Sequence, residues 1–412
     1  MELRIDKLLA LLREQLEQIL ASIDADPLLI KRELNGLVLA NAGKELFTPQ
    51  AEHQLFAKGI VYRRNPYQLV SLPLLKIYNL GERNVTASDI ERLTAEGSRL
   101  AFLRKYDGTM VQRFQVEDRV YFSTRGVLEG IDLGFTEGSN FDYVSAARQI
   151  ALEQYPLLAN PSPELEGLTL VLELIHPDGR VITDYGDRRD LILLAVFDQR
   201  THCYWPYSRL QAFADQHRLT LTDALNPVGT TLVEQIDALH ASLSGTDQEG
   251  SVVVIESAEQ VIYRVKLKSP DYLRLLNLMV NCTYSATQEM LDQYTPFPTW
   301  SEFENALQRL GTESVPEEVM GIYREHYEKA SSYLRDCEVL RSWTSERAQQ
   351  LRGEEAEPRL ARKLYAQRAL AERHAPLLFA AYDGRLTVSK VREYVRTPEE
   401  AKEAVRQLNG GE

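Results

Sequence analysis

Three cysteines in 412 residues, Cys203, Cys282 and Cys337, stand too far apart for a disulfide framework or a metal knuckle. Such sparse cysteine usage points to a reducing compartment, and a cytoplasmic location is the expectation. No apolar run is long enough to span a bilayer, so no membrane role is expected. The charged start Met1-Glu2-Leu3-Arg4-Ile5 does not have the form of a secretion signal. Internal repeats and low-complexity segments are also missing. Basic residues are outnumbered, 47 against 60 acidic ones, for a net charge of −13. That balance excludes bulk attraction to nucleic acid but not a local basic groove. A hydrophobic content of 44% over this length supports one large or two ordinary domains with ample core.

What is present divides by texture. Leu8, Leu12, Leu16, Ile19 and Ile23 recur at helical spacing and predict one amphipathic helix within residues 1–28. Short β-like runs fill residues 34–80, a stretch made locally basic by Lys58, Arg63, Arg64 and Lys76. A helix is expected over residues 87–102, followed by a strand toward Lys105, a strand over 116–124 and a helix over 143–157. Apolar runs at 168–174 and 191–197 have strand length, 206–225 and 232–243 read as helices, and 251–257 with 260–267 alternate as a hairpin. After about Pro270 the strands stop, and helices are expected over 271–279, 300–310, 316–342, 357–374 and 398–408. Ser301 and Glu304 suggest a capping box for the second of these. The nearest thing to a linker is the charged stretch 352–358. The expected architecture is α+β: an N-terminal helix (1–28), a mixed body (29–275) and an all-helical C-terminal domain (276–412).

The body contains Lys105-Tyr106-Asp107-Gly108, of the form Lys-x-Asp-Gly, in which a lysine amine can attack the α-phosphate of a nucleotide. Alone the fragment is weak. A chain this long contains one by chance about one time in ten, and Tyr382-Asp383-Gly384 repeats most of it with no lysine in front. A plain Asp-Gly turn is the alternative. The chemistry makes further demands that decide the matter. Neutralising a lysine at pH 7 costs about 4.6 kcal/mol, which burial and neighbouring cations reduce. The phosphates need positive charge, and a metal needs carboxylates. Downstream, Lys266 and Lys268 lie two apart on a strand and so share a face. Glu249 opens the apolar strand Ser251-Val252-Val253-Val254, and Glu173 sits inside Leu170-Val171-Leu172-Glu173-Leu174, where an unused carboxylate would be costly. Arg125 ends a strand before Gly126 and reads as phosphate-binding or as an ordinary surface arginine.

Taken in order, Lys105-Tyr-Asp-Gly, Ser-Thr-Arg125-Gly, Leu-Glu173-Leu, Glu249-Gly-Ser-Val-Val and Val-Lys266-Leu-Lys268 resemble the motif series of the covalent nucleotidyltransferases, which include DNA and RNA ligases and mRNA capping guanylyltransferases. Within that superfamily the chain is similar to the phage-type RNA ligase 1 family. The similarity rests on Ala57-Lys58-Gly59-Ile60 with Pro73-Leu-Leu-Lys76-Ile77-Tyr78-Asn-Leu80, on Glu173-Leu-Ile-His-Pro-Asp-Gly-Arg180, and on a helical tail where most DNA ligases and capping enzymes carry a β-rich domain. It covers roughly residues 30–275. Lys58 stands where that family usually has arginine, and Ile77 where an aromatic is common.

The resemblance implies a nucleotidyltransferase (ATP-grasp-like) domain of antiparallel sheets flanked by helices, and an ATP- and Mg2+-dependent RNA ligase. Lys105 would attack the α-phosphate and carry AMP, with Lys266 and Lys268 on that phosphate. Lys58, Lys76 and Arg125 would face the phosphates, and Tyr78 would lie near the adenine. Glu173 would grip the ribose or the metal's water shell, and Glu249 would help to place the metal. Asp107 would form the turn and contact the metal shell, while Arg180 fits the pattern without a derived role. The implied partner is RNA with 5′-phosphate and 3′-hydroxyl ends, tRNA being one candidate, and no obligate protein partner is inferred. A DNA-joining ligase, a capping-type transferase, or an inactive RNA-binding relative are the alternatives.

Overall fold

The computed structural model describes residues 4–43, 49–82, 86–95, 98–129, 131–132, 141–243, 248–280, 282–293, 298–310, 317–354 and 357–409. Among the described residues, sixteen strands run along the first two-thirds of the chain. They are β1 (Leu29–Leu34), β2 (Leu37–Ala42), β3 (Lys58–Arg63), β4 (Gln68–Ser71), β5 (Tyr78–Asn79), β6 (Arg99–Lys105), β7 (Thr109–Val116), β8 (Arg119–Ser123), β9 (Val127–Leu128), β10 (Ile131–Asp132), β11 (Leu168–Ile175), β12 (Asp190–Asp198), β13 (Cys203–Tyr204), β14 (Ala224–Leu225), β15 (Gly250–Glu256) and β16 (Val261–Lys268). They form a four-stranded sheet in the order β1-β2-β3-β4, a seven-stranded sheet β10-β9-β8-β7-β11-β12-β13, and a five-stranded sheet β14-β6-β15-β16-β5. Pairing between the named strands is antiparallel except where β5 runs parallel to β16. The class is α+β with antiparallel sheets, helices around them and a helical C-terminal region, as expected from the texture of the sequence.

The chain separates into two units, Met1–Leu273 and Arg274–Glu412. In the first, the N-terminal periodicity forms two helices, Ile5–Glu14 and Leu16–Ala25, rather than one. Gln15 between them leaves helical geometry at φ −125°, and both helices still bury the expected face through Leu8, Leu12, Ile19 and Ile23. Their apolar residues join one core with Tyr62, Leu103, Phe197 and Val254. A second core lies between the seven-stranded sheet and the helix Tyr143–Gln154, through Val111, Leu172, Ala147 and Ile150. The expected helix over 87–102 stops at Ala95, because Arg99–Lys105 pairs along its whole length with β15. Tertiary pairing outweighs local spacing here.

The second unit is helical, with Glu317–Leu351 as its longest element at 35 residues. That helix outruns the expected end at 342 because no glycine or proline intervenes before Gly353. Pro316 and residues 355–356 of the linker-like stretch lie outside the described residues. The Trp300–Leu310 helix is capped by Thr299 and Glu302, two positions before the expected pair. Glu302 accepts the Thr299 amide at 2.7 Å, and the Thr299 hydroxyl accepts the Glu302 amide at 3.3 Å. The second Tyr-Asp-Gly merely ends the helix Ala375–Tyr382, with Gly384 at φ +71°.

Candidate active site

Strand register builds the site in rows. Gly250 on β15 pairs with Lys105 on β6 to one side and with Lys268 on β16 to the other. Glu249, one residue earlier, therefore reaches both lysines. One carboxylate oxygen accepts from the Lys105 amine and the other meets Lys268 Nζ at 2.8 Å. A side chain at position 250 would obstruct this row. Its Cβ would fall 2.0 Å from the Leu267 carbonyl, and φ is +154°. The next row on the same face holds Leu103, Val252 and Lys266, and the one after it Ala101, Val254 and Arg264.

Lys105 is the last residue of β6 and Thr109 the first of β7, so the Lys-Tyr-Asp-Gly segment carries the chain from the five-stranded sheet into the seven-stranded one. Asp107 anchors that crossing. One of its oxygens accepts the Ile182 and Thr183 amides at 2.9 and 2.7 Å, and the other accepts the Tyr272 hydroxyl at 2.7 Å. The Tyr185 hydroxyl accepts the Asp107 amide at 2.9 Å. Gly108 is needed for close approach, since a Cβ there would sit 2.3 Å from the Leu174 carbonyl. Its amide donates to Glu173 at 3.1 Å, which brings the buried carboxylate of β11 up to the lysine turn. Both oxygens of Asp107 are thus engaged in holding the segment that carries Lys105.

A cavity of about 620 Å3 opens over these rows, lined by Lys58, Lys76, Lys105, Arg125, Glu173 and Lys266 among others. Glu249 and Lys268 flank it through their bonds to Lys105 and to each other. Ile77 lines the cavity, whereas Tyr78 is buried behind it on β5, 3% exposed and with the Lys76 amine 4.6 Å from its ring centre. Arg180 turns elsewhere, donating to the Ile182 carbonyl and to Asp184. Sequence reasoning missed Tyr185, Tyr272 and Arg264. The two tyrosines belong to no pattern of charge, and Arg264, two before Lys266, continues the alternation that marked the lysine pair.

The electrostatics divide into two halves. On the side of Lys58, burial and the cations of Lys76, Arg125 and Lys266 pull its amine down to about 8. Burial, with Lys268 and Lys105, also lowers Lys266. Lys105 behaves differently. Burial pulls its amine down, but the Glu249, Glu173 and Asp107 carboxylates outweigh burial and hold it above the ordinary lysine range. The lysine is thus a stabilised ammonium here. Among the described residues no group of three or more His, Cys, Asp and Glu side chains is arranged to hold a metal. Glu173 and Glu249 still suit magnesium, which is commonly held by one or two carboxylates with substrate phosphates.

Burial, partly offset by Lys105, raises Glu173 to about 7 from an unfolded value near 4.5. Its ionisation therefore opposes folding: the contribution of this group to stability is fully present below pH 4.5 and is lost as pH rises through 7. Glu173→Gln is expected to be more stable than the parent at pH 8 by roughly 1–3 kcal/mol. The gap should close as pH falls toward 4.5. Denaturant titrations at several pH values test this, and a parent that stays the more stable at pH 8 would contradict it.

Comparison with known proteins gives one partial relative. No family model matches the chain. A curated protein of Thermovibrio ammonificans, named "Putative RNA ligase", is 29% identical over 220 residues, which are 53% of this chain and 52% of that protein. The chain thus spans about half the length of the curated relative that it matches. Among solved structures, an archaeal ATP-dependent RNA ligase aligns over 88% of this chain and 89% of its own, at 16% identity and a TM-score of 0.41. An ATP-dependent DNA ligase from Aquifex aeolicus, also named putative, aligns over 78% and 76% at 14% identity and a TM-score of 0.40. The motif series and the curated relative agree on one resemblance: this chain is similar to the RNA ligases among the covalent nucleotidyltransferases.

Proposed function

We propose that the chain is an ATP-dependent RNA ligase that works through a lysyl-AMP intermediate. The observation that carries this reading is the row Lys105–Glu249–Lys268 beside a cavity whose lining includes Lys58, Lys76, Arg125 and Lys266. In the first step the Lys105 Nζ lone pair attacks the α-phosphorus of ATP. A nitrogen–phosphorus bond forms, the α–β bridging oxygen departs with the bonding pair, and pyrophosphate leaves. Lys266 and Lys268 neutralise charge on the α-phosphoryl oxygens as it builds, and Lys58, Lys76 and Arg125 hold the leaving group. A divalent cation held by Glu173 and Glu249 would supply neutralisation of phosphate charge. Burial of Lys105 favours the neutral amine that attack requires, against the pull of the Glu249 and Glu173 carboxylates.

Next, a 5′-phosphate oxygen of RNA attacks the lysyl-bound phosphorus and the lysine amine leaves. A 3′-hydroxyl then attacks the 5′-phosphorus of the RNA-adenylate, and AMP leaves. The choice of RNA follows the curated relative and the motif resemblance. All the residues named for the first step lie in Met1–Leu273, so self-adenylylation is assigned to that unit.

Incubation with ATP labelled at the α-phosphate is expected to leave label on the protein, but no label should remain with excess chelator or when the label is on the γ-phosphate. A panel of single-stranded and nicked RNA and DNA should show joining of 5′-phosphate RNA ends to 3′-hydroxyl ends. Absence of covalent label with ATP and a divalent cation defeats the reading, and joining of DNA alone defeats its RNA half.

A further inference from the structure

Arg264 takes no part in the phosphate chemistry described above. It occupies the third row of the five-stranded sheet, opposite Val254 and two residues along β16 from Lys266. Residues i and i+2 of a strand lie about 6.6 Å apart on one face. Arg264 therefore faces the same cavity one step further from the Lys105–Lys268 row, beside the apolar Leu103, Leu194 and Val254. The side chain is 6% exposed. Its guanidinium lies 4.7 Å from the centre of the buried Tyr204 ring, whose hydroxyl is held by the Pro73 carbonyl. The nearby Glu256 carboxylate accepts the Tyr207 amide at 2.7 Å and forms no ion pair with Arg264 among the described residues. The Arg264 Nη1 is buried and without a hydrogen-bond partner among the described residues. A buried cationic donor left unmatched is costly, and a fixed donor at an apolar cavity wall selects a ligand with an acceptor at that point.

We propose that Arg264 is a base-reading residue that donates from Nη1 to a ring nitrogen of adenine, so that the nucleotide lies along β16 with its α-phosphate at Lys266 and Lys268 and its base at Arg264. This rests on the adenylylation reading. The direction follows from the rows: cations gather at the Lys105 end, and the third row offers a flat apolar wall with one donor. Adenine presents the acceptors N1, N3 and N7, and replacing one of them by carbon removes one acceptor without changing the shape of the ring system.

The test compares ATP with its 1-deaza, 3-deaza and 7-deaza analogues, by calorimetric binding and by single-turnover labelling. The parent is expected to lose roughly 10- to 100-fold in affinity for one analogue, the range of a hydrogen bond to a charged group. Arg264→Met should weaken ATP by a similar factor and treat ATP and that analogue alike, with the loss falling more on binding than on the labelling rate at saturation, because a base contact is made before and during attack. Arg264→Lys, which keeps the cation and a stem, should retain part of the discrimination. A parent that binds all three analogues as it binds ATP overturns the proposal, as does discrimination that survives in Arg264→Met. A merely structural arginine would alter stability and leave the analogue preference untouched. Failure of ATP itself to label would defeat adenylylation instead, and the binding comparison would still decide the role of Arg264.

Discussion

Lys105→Ala takes no detectable label from ATP carrying the isotope at its α-phosphate, under conditions in which the parent is labelled to completion. A methyl group has no lone pair to offer phosphorus, so the expected loss is total. The informative competitor is Lys58. Its amine, lowered to about 8, is more easily neutral than that of Lys105, and it lines the same cavity. Ease of neutralisation alone would name Lys58. Geometry favours Lys105, which ends β6 beside Glu249, Glu173 and the lysine pair, whereas Lys58 begins β3 with Lys76, Arg125 and Lys266 around it and Glu82 as the weaker, opposing charge. Removing Lys105 also strips Glu173 and Glu249 of a counter-charge, so the alanine variant is expected to lose stability. Lys105→Arg controls for this. It keeps a cation against Glu249, yet a guanidinium stays protonated and cannot attack. Label that persists in the arginine variant and maps to Lys58 by peptide mass would transfer the nucleophile's role.

Lys266→Ala slows single-turnover labelling by roughly 100-fold while leaving the unfolding midpoint unchanged or higher. The rate effect follows from charge that grows on the phosphoryl oxygens during attack, where one well-placed donor is worth roughly 100- to 1,000-fold. The stability effect has the opposite sign because burial and two neighbouring lysines already disfavour the Lys266 cation in the free protein. Lys268→Ala differs in kind. It removes one of the two partners of Glu249, so its rate loss should come with a shifted pH dependence as Glu249 bears on Lys105 alone. Rapid-quench labelling across pH separates the two variants. Equal rates in the parent and in Lys266→Ala would make this lysine part of an ordinary solvated strand face.

Much of this arrangement was legible before any coordinates, for reasons of period. Two lysines spaced by one residue share a strand face whatever the fold, and a glutamate within an apolar strand signals a partner. Register is another matter. That Gly250 would pair with both Lys105 and Lys268, placing Glu249 between them, depends on how three strands align, and no local pattern encodes that. Asp107 shows the same limit. Its position in the motif suggested a turn, but not that its oxygens would accept from amides 75 and 76 residues away and from a tyrosine 165 residues away. Helix ends erred where spacing was read without breakers, as at 342, and where a strand partner captured apolar residues, as at 99–102.

The bond from Tyr272 to Asp107 bears on where the polypeptide that holds Lys105 can be cut. The last charged motif residue is Lys268, and a protein chemist guided by motifs would trim the chain just after it. Ser269 and Tyr272 follow, in and before the first turn of the helix Pro270–Val280, and the tyrosine hydroxyl holds the aspartate that shapes the lysine turn. The shortest polypeptide that keeps Lys105 in place therefore extends at least one helical turn past its own signature. The segment that holds Lys105 in place is bounded by a phenol rather than by a charge.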